Sequence, residues 1–466
     1  MLLELAGGHT IDCEDCAVGS GATARVFLSR DHQHAVKLFN VTTPGARNHV
    51  EAVIAMRPAI LTNPYWSSIL CWPDALITKA VGNGPPLLGV RMPAIPGGFH
   101  QLSHFLLSKS LARQPAANQS WHRRMLAALK LSRAVDWLHK NGIAHGDLSF
   151  NNIYMNPTSG TPYVIDLDGV IVRGRLAARV LGTPEYIAPE VLSRREQPSI
   201  ETDLHALAVL VHQLLLYRHP LRGPKIYAPT AADDEREALG ENAIYISHPT
   251  DRSNTPTRLG RGYWPAWLLG DELELLFEAT FVHGLRDPRH RPTAKQWEEA
   301  IVRLHDRVVS CSNANCAPGF YPITRRGGIL SQGLHCPWCG VPMTSGELLI
   351  LHLMRPGRST AREQSYLPES NWWIVGIPGR SLHRWHQRVG VLPSHSADSD
   401  PIAVVEHDGS TWWLRVLSDD QTIRSVRREK ASQRAKSGDR IRLEEGTRVL
   451  LGDAPENRAF FVQVAR

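Results

Sequence analysis

The chain has 466 residues, of which 42% are hydrophobic and 21% are charged, and its formal net charge is +7. This length exceeds what one compact core supports, so two or three domains are expected. The positive charge is spread along the chain and argues only weakly for nucleic acid as a partner. The longest apolar run, "ALAVLVHQLLLY", is broken by His212 and Gln213 and is typical of a buried helix, not of a membrane span. The start, "MLLELAGGHT", lacks the features of an export signal, so we expect a cytoplasmic protein.

Residues 1–92 alternate short β-like runs, such as "ARVFLS" and "HAVKLF", with one helical segment, "ARNHVEAVIAM". The stretch "VGSGATARVF" places Gly19 and Gly21 in a turn whose backbone N–H groups can approach phosphates, with Val26 positioned to cover an adenine. The same turn also fits an ordinary hairpin. Lys37, on an apolar strand, needs a carboxylate partner. Glu51 is the only acidic residue between Lys37 and Asp74, which predicts a Lys37–Glu51 ion pair.

Residues 99–308 are mostly helical in pattern, with apolar residues spaced near 3.6 in "MLAALKLSRAVDWLHK" and "ELELLFEATF". The connector "MPAIPGG" before them suits a hinge. Within the helical region, "HGDLSFNNIYMNPTSGTPYVIDLDG" carries the residues of a phosphoryl-transfer site. Asp147 would orient or accept the proton of the acceptor hydroxyl, and Asn152 and Asp166 would hold the Mg²⁺ ions that bridge the ATP phosphates. Asp168 lies two residues further on, and whether it shares the metal with Asp166 stays open.

The HGD spelling with a downstream IDxxD-like run resembles aminoglycoside and choline phosphotransferases as well as protein kinases. The stretch "LGTPEYIAPEVL" decides between them, because it resembles the end of the activation segment of eukaryotic-like (Hanks-type) Ser/Thr protein kinases. The resemblance covers roughly residues 10 to 305. It implies an α+β, bilobal kinase fold with an N-lobe (1–92), a hinge (93–98) and a C-lobe (99–308).

The resemblance also implies roles for single residues. Met92 is the gatekeeper, and Ala94 in the hinge contacts the nucleotide. Thr183 contacts the catalytic aspartate, and Asp203 is the buried anchor of the catalytic loop. Arg291, in "DPRHRPTA", pairs with Glu190, the last residue of the Ala-Pro-Glu signature.

Several positions depart from the family pattern. Ala24 replaces the third glycine of the Gly-rich turn, and Gly146 replaces an arginine that binds a phosphate on the activation loop. Between Asp168 and Thr183 there is no Ser, Thr or Tyr, so we predict that activity does not depend on activation-loop phosphorylation. Ser149 replaces the catalytic-loop lysine, which keeps an ATP-binding pseudokinase scaffold as an alternative. Basic residues on this loop indicate either an acidic substrate or a solvated face: Arg173, Arg175 and Arg179.

Residues 309–345 are rich in Cys and Gly. Cys311-x4-Cys316 and Cys336-x2-Cys339 form two knuckles whose four thiolates match tetrahedral Zn²⁺, which predicts a structural zinc ribbon. Arg325 and Arg326 would permit a nucleic-acid contact, but a connector or protein-docking role is the favoured interpretation, and no nucleic-acid partner is expected.

Residues 346–466 contain short β-runs separated by turns, which predicts a β-sandwich. The run is similar to forkhead-associated domains, which read phosphothreonine. Gly379-Arg380 and Ser399 match that family, whereas Ile402 and Asp420-Gln421-Thr422 replace its His and its Asn-Gly pair. We therefore predict a forkhead-associated-like protein-interaction domain.

The leading hypothesis is a Ser/Thr protein kinase that uses Mg²⁺ and ATP. A small-molecule phosphotransferase of the same fold and a pseudokinase scaffold are the alternatives. The stretch "AIYISHPTDRSNTP" loosely resembles bacterial kinases found beside a phosphatase and a von Willebrand A-type protein. The expected partners are therefore protein substrates and, through this resemblance, such a phosphatase or von Willebrand A-type protein.

Overall fold

The computed structural model describes residues 1–21, 23–40, 44–81, 86–106, 121–257, 264–316, 319–326, 329–331, 335–343, 347–359, 364–391, 401–418, 423–427 and 430–465. They form two compact units. The first unit comprises Met1–Ala266 and Leu275–Glu298, and the second comprises Trp267–Glu274 and Glu299–Arg466. The predicted Ser399 and Asp420-Gln421-Thr422 positions lie outside the described residues. No described helix is both long enough and apolar enough to cross a membrane.

The first unit begins with a seven-stranded antiparallel sheet in the order β2-β1-β6-β7-β5-β4-β3. Its strands are β1 (Leu2–Leu5), β2 (Thr10–Asp12), β3 (Gly19–Ser20), β4 (Ala24–Leu28), β5 (His34–Phe39), β6 (Ala75–Ala80) and β7 (Pro86–Pro93). Helices α1 (Ala46–Ile60) and α2 (Pro64–Ser67) lie between β5 and β6. Side chains alternate across β5, so Val36 packs with the apolar cluster around Phe27, while Ala35 packs with Val50 of α1. Lys37 therefore lies on the face of the sheet that α1 covers.

Helices dominate the rest of the first unit. They are α3 (Ser103–Leu106), α4 (Trp121–Lys140), α5 (Pro189–Leu192), α6 (Ile200–Leu216) and α7 (Ala231–Leu239). Helices α8 (Asp271–Glu278) and α9 (Ala294–His305) each have residues in both units. The predicted helical pattern lies in α4, which packs against α6. Helix α6 is buried from Thr202 to Leu216, as its sequence predicted. Its polar His212 is accommodated because Nδ1 bonds the carbonyl oxygen of Arg218 at 2.6 Å.

Two small antiparallel sheets place the predicted catalytic residues. Strand β10 (Ile153–Asn156) pairs with β11 (Thr161–Val164) and with β8 (His100–Gln101), and β9 (Ile143–Ala144) pairs with β12 (Ile171–Val172). The loop from β9 to β10 carries the HGD stretch, and the loop from β11 to β12 carries Asp166 and Asp168. Because the strands that flank both loops pair with one another, the two loops are held side by side.

The second unit is rich in antiparallel strands. Short pairs come first: β13 (Val308–Ser310) with β14 (Phe320–Pro322), and β15 (Thr324–Arg326) with β16 (Ile329–Ser331). A six-stranded sheet has the order β18-β17-β26-β25-β22-β23, and a four-stranded sheet has the order β19-β20-β21-β24. These strands are β17 (Leu348–Ser359), β18 (Gln364–Gly376), β19 (Ser381–His383), β20 (Pro401–His407), β21 (Trp412–Val416), β22 (Ile423–Arg427), β23 (Lys430–Ala435), β24 (Arg440–Leu443), β25 (Arg448–Leu450) and β26 (Ala459–Ala465), with a short helix α10 (Arg384–Gln387).

Two arginines of the second unit that the sequence analysis named make contacts within that unit. The guanidinium of Arg380 donates to the carbonyl oxygens of His305 and Val375 at 3.3 Å, and also to that of Val308. It therefore binds carbonyl oxygens near the end of α9, although Gly379-Arg380 matches the Gly-Arg pair of forkhead-associated domains. Arg325 stacks on Trp373 with its Cζ 5.1 Å from the ring centroid, so packing accounts for it without a nucleic acid.

Candidate active site

Asp147 is held from two directions within the loop between β9 and β10. The backbone N–H and the hydroxyl of Thr183 both donate to Oδ1 of Asp147 at 2.8 Å, which is the contact that the family resemblance implies. Nδ2 of Asn152 donates to Oδ2 of Asp147 at 3.0 Å and to its carbonyl oxygen at 2.9 Å. Oδ1 thus already accepts two hydrogen bonds, whereas Oδ2 accepts one and keeps a lone pair that can accept from a substrate hydroxyl. The structure thus brings together Asp147, Asn152 and Thr183.

A side chain of α6, that of Asp203, anchors the loop that carries Asp147. Asp203, 2% exposed, accepts the backbone N–H of His145 at 2.7 Å and that of Gly146 at 3.0 Å. His139 contacts the same carboxylate at 3.2 Å. Hydrogen bonds from backbone donors to a buried carboxylate are among the stronger ones in proteins, because the acceptor is charged. Asp203 is therefore placed as the family resemblance implies, and it fixes the backbone of the catalytic loop.

Lys37, Asp166 and Asp168 meet in one buried cluster. Nζ of Lys37 contacts Oδ1 of Asp166, and it lies 3.0 Å from both carboxylate oxygens of Asp168. Burial alone would lower the pKa of Lys37, but the charges of Asp168 and Asp166 outweigh it and raise this pKa above its ordinary value. Burial opposes ionisation of Asp166, yet the ammonium of Lys37 lowers the net pKa of that carboxyl. The cluster thus carries one cation between two carboxylates.

The backbone of Asp166 adopts a conformation that few residues accept. Its φ is 66° and its ψ is 30°, in the left-handed region that non-glycine residues seldom occupy. The preceding carbonyl oxygen, that of Ile165, lies 3.0 Å from Nε2 of His145 in the catalytic loop. Strained backbone of this kind persists only where surrounding contacts hold it, and it concentrates at functional sites. Here it aims the Asp166 carboxylate at Lys37.

The predicted Lys37–Glu51 ion pair is not formed. Glu51 is 48% exposed, and its Oε1 accepts from Nε of Arg47, one turn earlier on α1, at 2.9 Å. The prediction considered only acidic residues close in sequence, whereas the carboxylates that reach Lys37 follow it by 129 and 131 positions. His49 was missed as well: it lies on the buried side of α1 and is 8% exposed. No sequence motif predicts that Asp166 and Asp168 contact Lys37, or that His49 lies on the buried side of α1.

The residues predicted to contact the nucleotide lie on the first sheet. Gly19 pairs with Val26 across β3 and β4, and Val26 pairs with Lys37 across β4 and β5. The Gly-rich turn and Lys37 therefore lie on neighbouring strands of the sheet. Met92 is 8% exposed in β7. The N–H of Ala94 donates to the carbonyl oxygen of Gln33 at 3.0 Å, so this N–H is already used. Gly21 closes the turn by donating its N–H to the carbonyl oxygen of Ala24 at 2.9 Å.

Gly146 occupies a position that admits no larger residue as the chain stands. Its φ is 82°, and a Cβ built on it would lie 2.6 Å from Cδ1 of Ile171. Ile171, in β12, therefore fills the space next to the backbone at the position where the family resemblance implies an arginine.

Gly146→Ala is expected to lower the free energy of unfolding by about 1–3 kcal/mol. Alanine is strained in the left-handed backbone conformation of this residue, and its Cβ would clash with Ile171. Urea unfolding measures the change. Gly142→Ala is the matched control, since Gly142 has a φ of 72° but nothing within 4 Å of its built Cβ. Adding Ile171→Val, which removes Cδ1, should restore part of the loss. Equal losses at positions 142 and 146 would contradict the proposed clash.

A buried ion pair closes the activation segment. Both terminal nitrogens of Arg291 donate to the carboxylate of Glu190, at 2.6 and 2.7 Å, and the two side chains are 0% and 6% exposed. Arg291 also donates to the carbonyl oxygens of Gly284 at 2.9 Å and Glu201 at 3.0 Å. The pairing implied by the family resemblance is therefore present, and four of the five guanidinium N–H groups donate hydrogen bonds.

Ser149 stands where the resemblance implies a lysine. It is 0% exposed, and its hydroxyl has no hydrogen-bond partner among the described residues. The side chain therefore contributes no cation to the site.

The four cysteines of the second unit converge. Their Sγ atoms all lie within 4.8 Å of one another, with Cys311 and Cys339 at 3.6 Å and Cys316 and Cys336 at 3.8 Å. Four sulfurs that each lie about 2.3 Å from a zinc ion at tetrahedral angles would be separated by about 3.8 Å. The spacing thus fits a tetrahedral zinc ion.

Part of the chain is similar in sequence to known protein kinases. A family model described as the protein kinase domain matches residues 103–299. The serine/threonine-protein kinase PknD of Chlamydia abortus is 25% identical over 239 residues, which are 46% of this chain and 25% of that protein. The atypical protein kinase C of Drosophila melanogaster is 36% identical over 102 residues, which are 21% of this chain and 16% of that protein.

A probable serine/threonine-protein kinase, PLK, of Dictyostelium discoideum is 31% identical over 87 residues, 19% of this chain and 9% of that protein. The chain thus spans a quarter or less of the length of these relatives. The matched family model and these relatives show that part of the chain is similar to Ser/Thr protein kinase domains.

Proposed function

We propose that this chain transfers the γ-phosphate of ATP, with Mg²⁺, to serine or threonine hydroxyls of protein substrates. The observation that carries the proposal is the carboxylate of Asp147, fixed by Thr183 and Asn152. Asp147 accepts or orients the proton of the attacking hydroxyl, and its two partners keep it from turning away. The anchored backbone under His145 and Gly146 preserves this geometry. In this class of reaction the protein acts mainly by positioning and by electrostatics.

The residues present suit Mg²⁺ and ATP. Asn152 uses its amide nitrogen for Asp147, so its amide oxygen is left for a cation, and Asp166 supplies a carboxylate 36% exposed. Asn152 and Asp166 would hold the metal, and Lys37 would contact the phosphates. When bound, Mg²⁺ neutralises charge on the transferring phosphate. Gly19, Gly21, Val26 and Met92 would contact the nucleotide, and Ala94 would contribute its carbonyl oxygen.

We further propose that activity does not require phosphorylation of the activation segment. Ile171 fills the space beside Gly146, and the segment is already tied down by the contacts of Thr183 with Asp147 and of Glu190 with Arg291. A phosphate would have no arginine to bind at position 146. The segment between Asp168 and Thr183 also offers no acceptor hydroxyl.

The second unit is proposed to be a structural zinc ribbon (309–345) followed by a forkhead-associated-like β-sandwich (346–466) that binds proteins. The sulfur spacing supports the ribbon. The two antiparallel sheets, of six and four strands, support the sandwich. Since Arg380 is engaged with backbone carbonyls, we propose that protein binding by this domain does not use a phosphothreonine site built on Arg380. A phosphatase or von Willebrand A-type protein is a proposed partner through the resemblance alone.

Incubation with Mg²⁺ and ATP, followed by intact mass and phosphosite mapping with a generic protein acceptor, tests the proposed activity. Asp147→Asn is expected to reduce phosphate transfer by about 10²–10⁴-fold, because it removes the group that handles the hydroxyl proton. Its nucleotide affinity should stay close to that of the parent. Slow ATP consumption without phosphate on protein would favour a small-molecule phosphotransferase. Nucleotide binding without any turnover would favour a pseudokinase, for which Ser149 is the observation in support.

A further inference from the structure

Lys37 has a partner that family resemblance does not assign to it. Both oxygens of Asp168 lie 3.0 Å from Nζ of Lys37, and the two side chains are 5% and 14% exposed. A buried ammonium requires a close carboxylate, because an unpaired charge loses its hydration without compensation. Asp168 meets this requirement from the loop between β11 and β12.

Helix α1 is held by groups other than Glu51. His49 is 8% exposed, and α1 packs against residues 167–169, the segment that contains Asp168. Val50 and Val53 are fully buried, and Nε1 of Trp72 donates to the carbonyl oxygen of Val53 at 2.9 Å. The helix therefore presents His49 to the loop that carries Asp168.

Glu51 cannot reach the same place while α1 keeps this orientation. Successive residues of an α-helix are separated by about 100°, so Glu51 points about 200° away from His49 and about 100° away from Val50. Turning Glu51 towards Lys37 would expose His49, which is buried on α1. It would also pull Val50 out of the apolar cluster that it forms with Ala35, and exposing that apolar surface opposes the rotation.

The two carboxylates beside Lys37 differ in access. Asp166 is 36% exposed, whereas Asp168 is 5% exposed. A cation held by Asp166 and Asn152 would draw the Asp166 carboxylate away from Lys37. Asp168 would then be the remaining partner of the ammonium, and it already contacts Nζ through both oxygens.

We propose that Asp168, and not Glu51, is the positioning residue for Lys37. The ammonium of this phosphate-binding lysine is then held in position without any movement of α1. This inference rests on the proposed function, in which Lys37 contacts the ATP phosphates. It makes Asp168 a structural partner of the lysine, whereas Asp166 is left for the metal. The proposal is consistent with a glycine at position 146 and with the absence of an acceptor hydroxyl in the activation segment. In each case the site forms without phosphorylation or helix movement.

Magnesium-free ADP binding, measured on the full chain by calorimetry in buffer without added Mg²⁺ and without a chelator, tests the proposal without relying on turnover. Asp168→Asn is expected to weaken ADP binding by about 10-fold to 100-fold, as for loss of a charge-assisted contact that orients Lys37. Glu51→Gln should change the affinity by less than about twofold. Lys37→Ala gives the reference, and the double variant Lys37→Ala with Asp168→Asn should be no weaker than Lys37→Ala alone. Asp168→Glu should recover part of the affinity.

A larger loss from Glu51→Gln than from Asp168→Asn would overturn the proposal and restore the helix residue as the partner. So would an Asp168→Asn variant that binds metal-free ADP like the parent, because Asp168 would then act through the metal alone. Thermal unfolding of each variant separates loss of fold from loss of affinity, and Asp168→Glu supplies the folded comparison. If the parent binds ADP but transfers no phosphate, the proposed function fails while this test still reads out.

Discussion

Glu190→Gln is expected to lower the free energy of unfolding of the first unit by about 3–5 kcal/mol. The substitution leaves the guanidinium of Arg291, whose side chain is 0% exposed, beside a neutral amide. The cost arises because a buried charge that loses its counterion keeps its desolvation penalty. Chemical denaturation followed by far-UV circular dichroism would measure the change.

The matched control is Glu185→Gln. Glu185 lies five residues earlier, is 40% exposed, and approaches Arg222 only at 3.9 Å, so its removal should cost about 1 kcal/mol or less. A double variant, Glu190→Leu with Arg291→Met, removes both charges and should be less destabilised than the sum of the single changes. If Glu190→Gln cost no more than Glu185→Gln, the pair would not have the stabilising role that its burial indicates.

Chelation of zinc is expected to unfold the region around the four cysteines. Structural zinc sites supply roughly 10–16 kcal/mol of apparent binding free energy, and a segment this short has little apolar core of its own. Cys316 and Cys336 share an apolar cluster with Tyr321, Ile350 and Trp373, so the loss should extend into the adjoining sheet. Intrinsic fluorescence is a direct probe, because the indole N–H of Trp338 donates to the carbonyl oxygen of Phe320 at 2.6 Å.

Native mass spectrometry should find one zinc ion per chain, and Cys336→Ser should lose it together with the folded fluorescence signal. Cys16→Ser is the control, because Cys16 is exposed and lies outside the cluster. A metal-free protein whose fluorescence and unfolding do not respond to a chelator would contradict the zinc assignment.

Local sequence predicted the contacts that depend on short spacings. Asn152 follows Asp147 by five residues in one loop, so their hydrogen bond depends on little beyond that loop. The buried character of α6 likewise follows from its composition alone. The order of motifs along the chain then indicated the kinase class, and the match of residues 103–299 agrees with it.

Tertiary structure decided the contacts that depend on how elements are oriented against one another. The partner of Lys37 depends on the rotation of α1, which buried Val50 and Val53 set, so a search for the nearest carboxylate in sequence selected Glu51 in place of Asp168. Arg380 matches the Gly-Arg pair of forkhead-associated domains. Its guanidinium nevertheless donates to the carbonyl oxygens of residues that lie more than 70 positions earlier in the chain. By itself the sequence determined which chemical groups the protein has and their order. Packing between distant elements determined which of them meet, because charges and donors pair with whatever the buried apolar faces bring within reach.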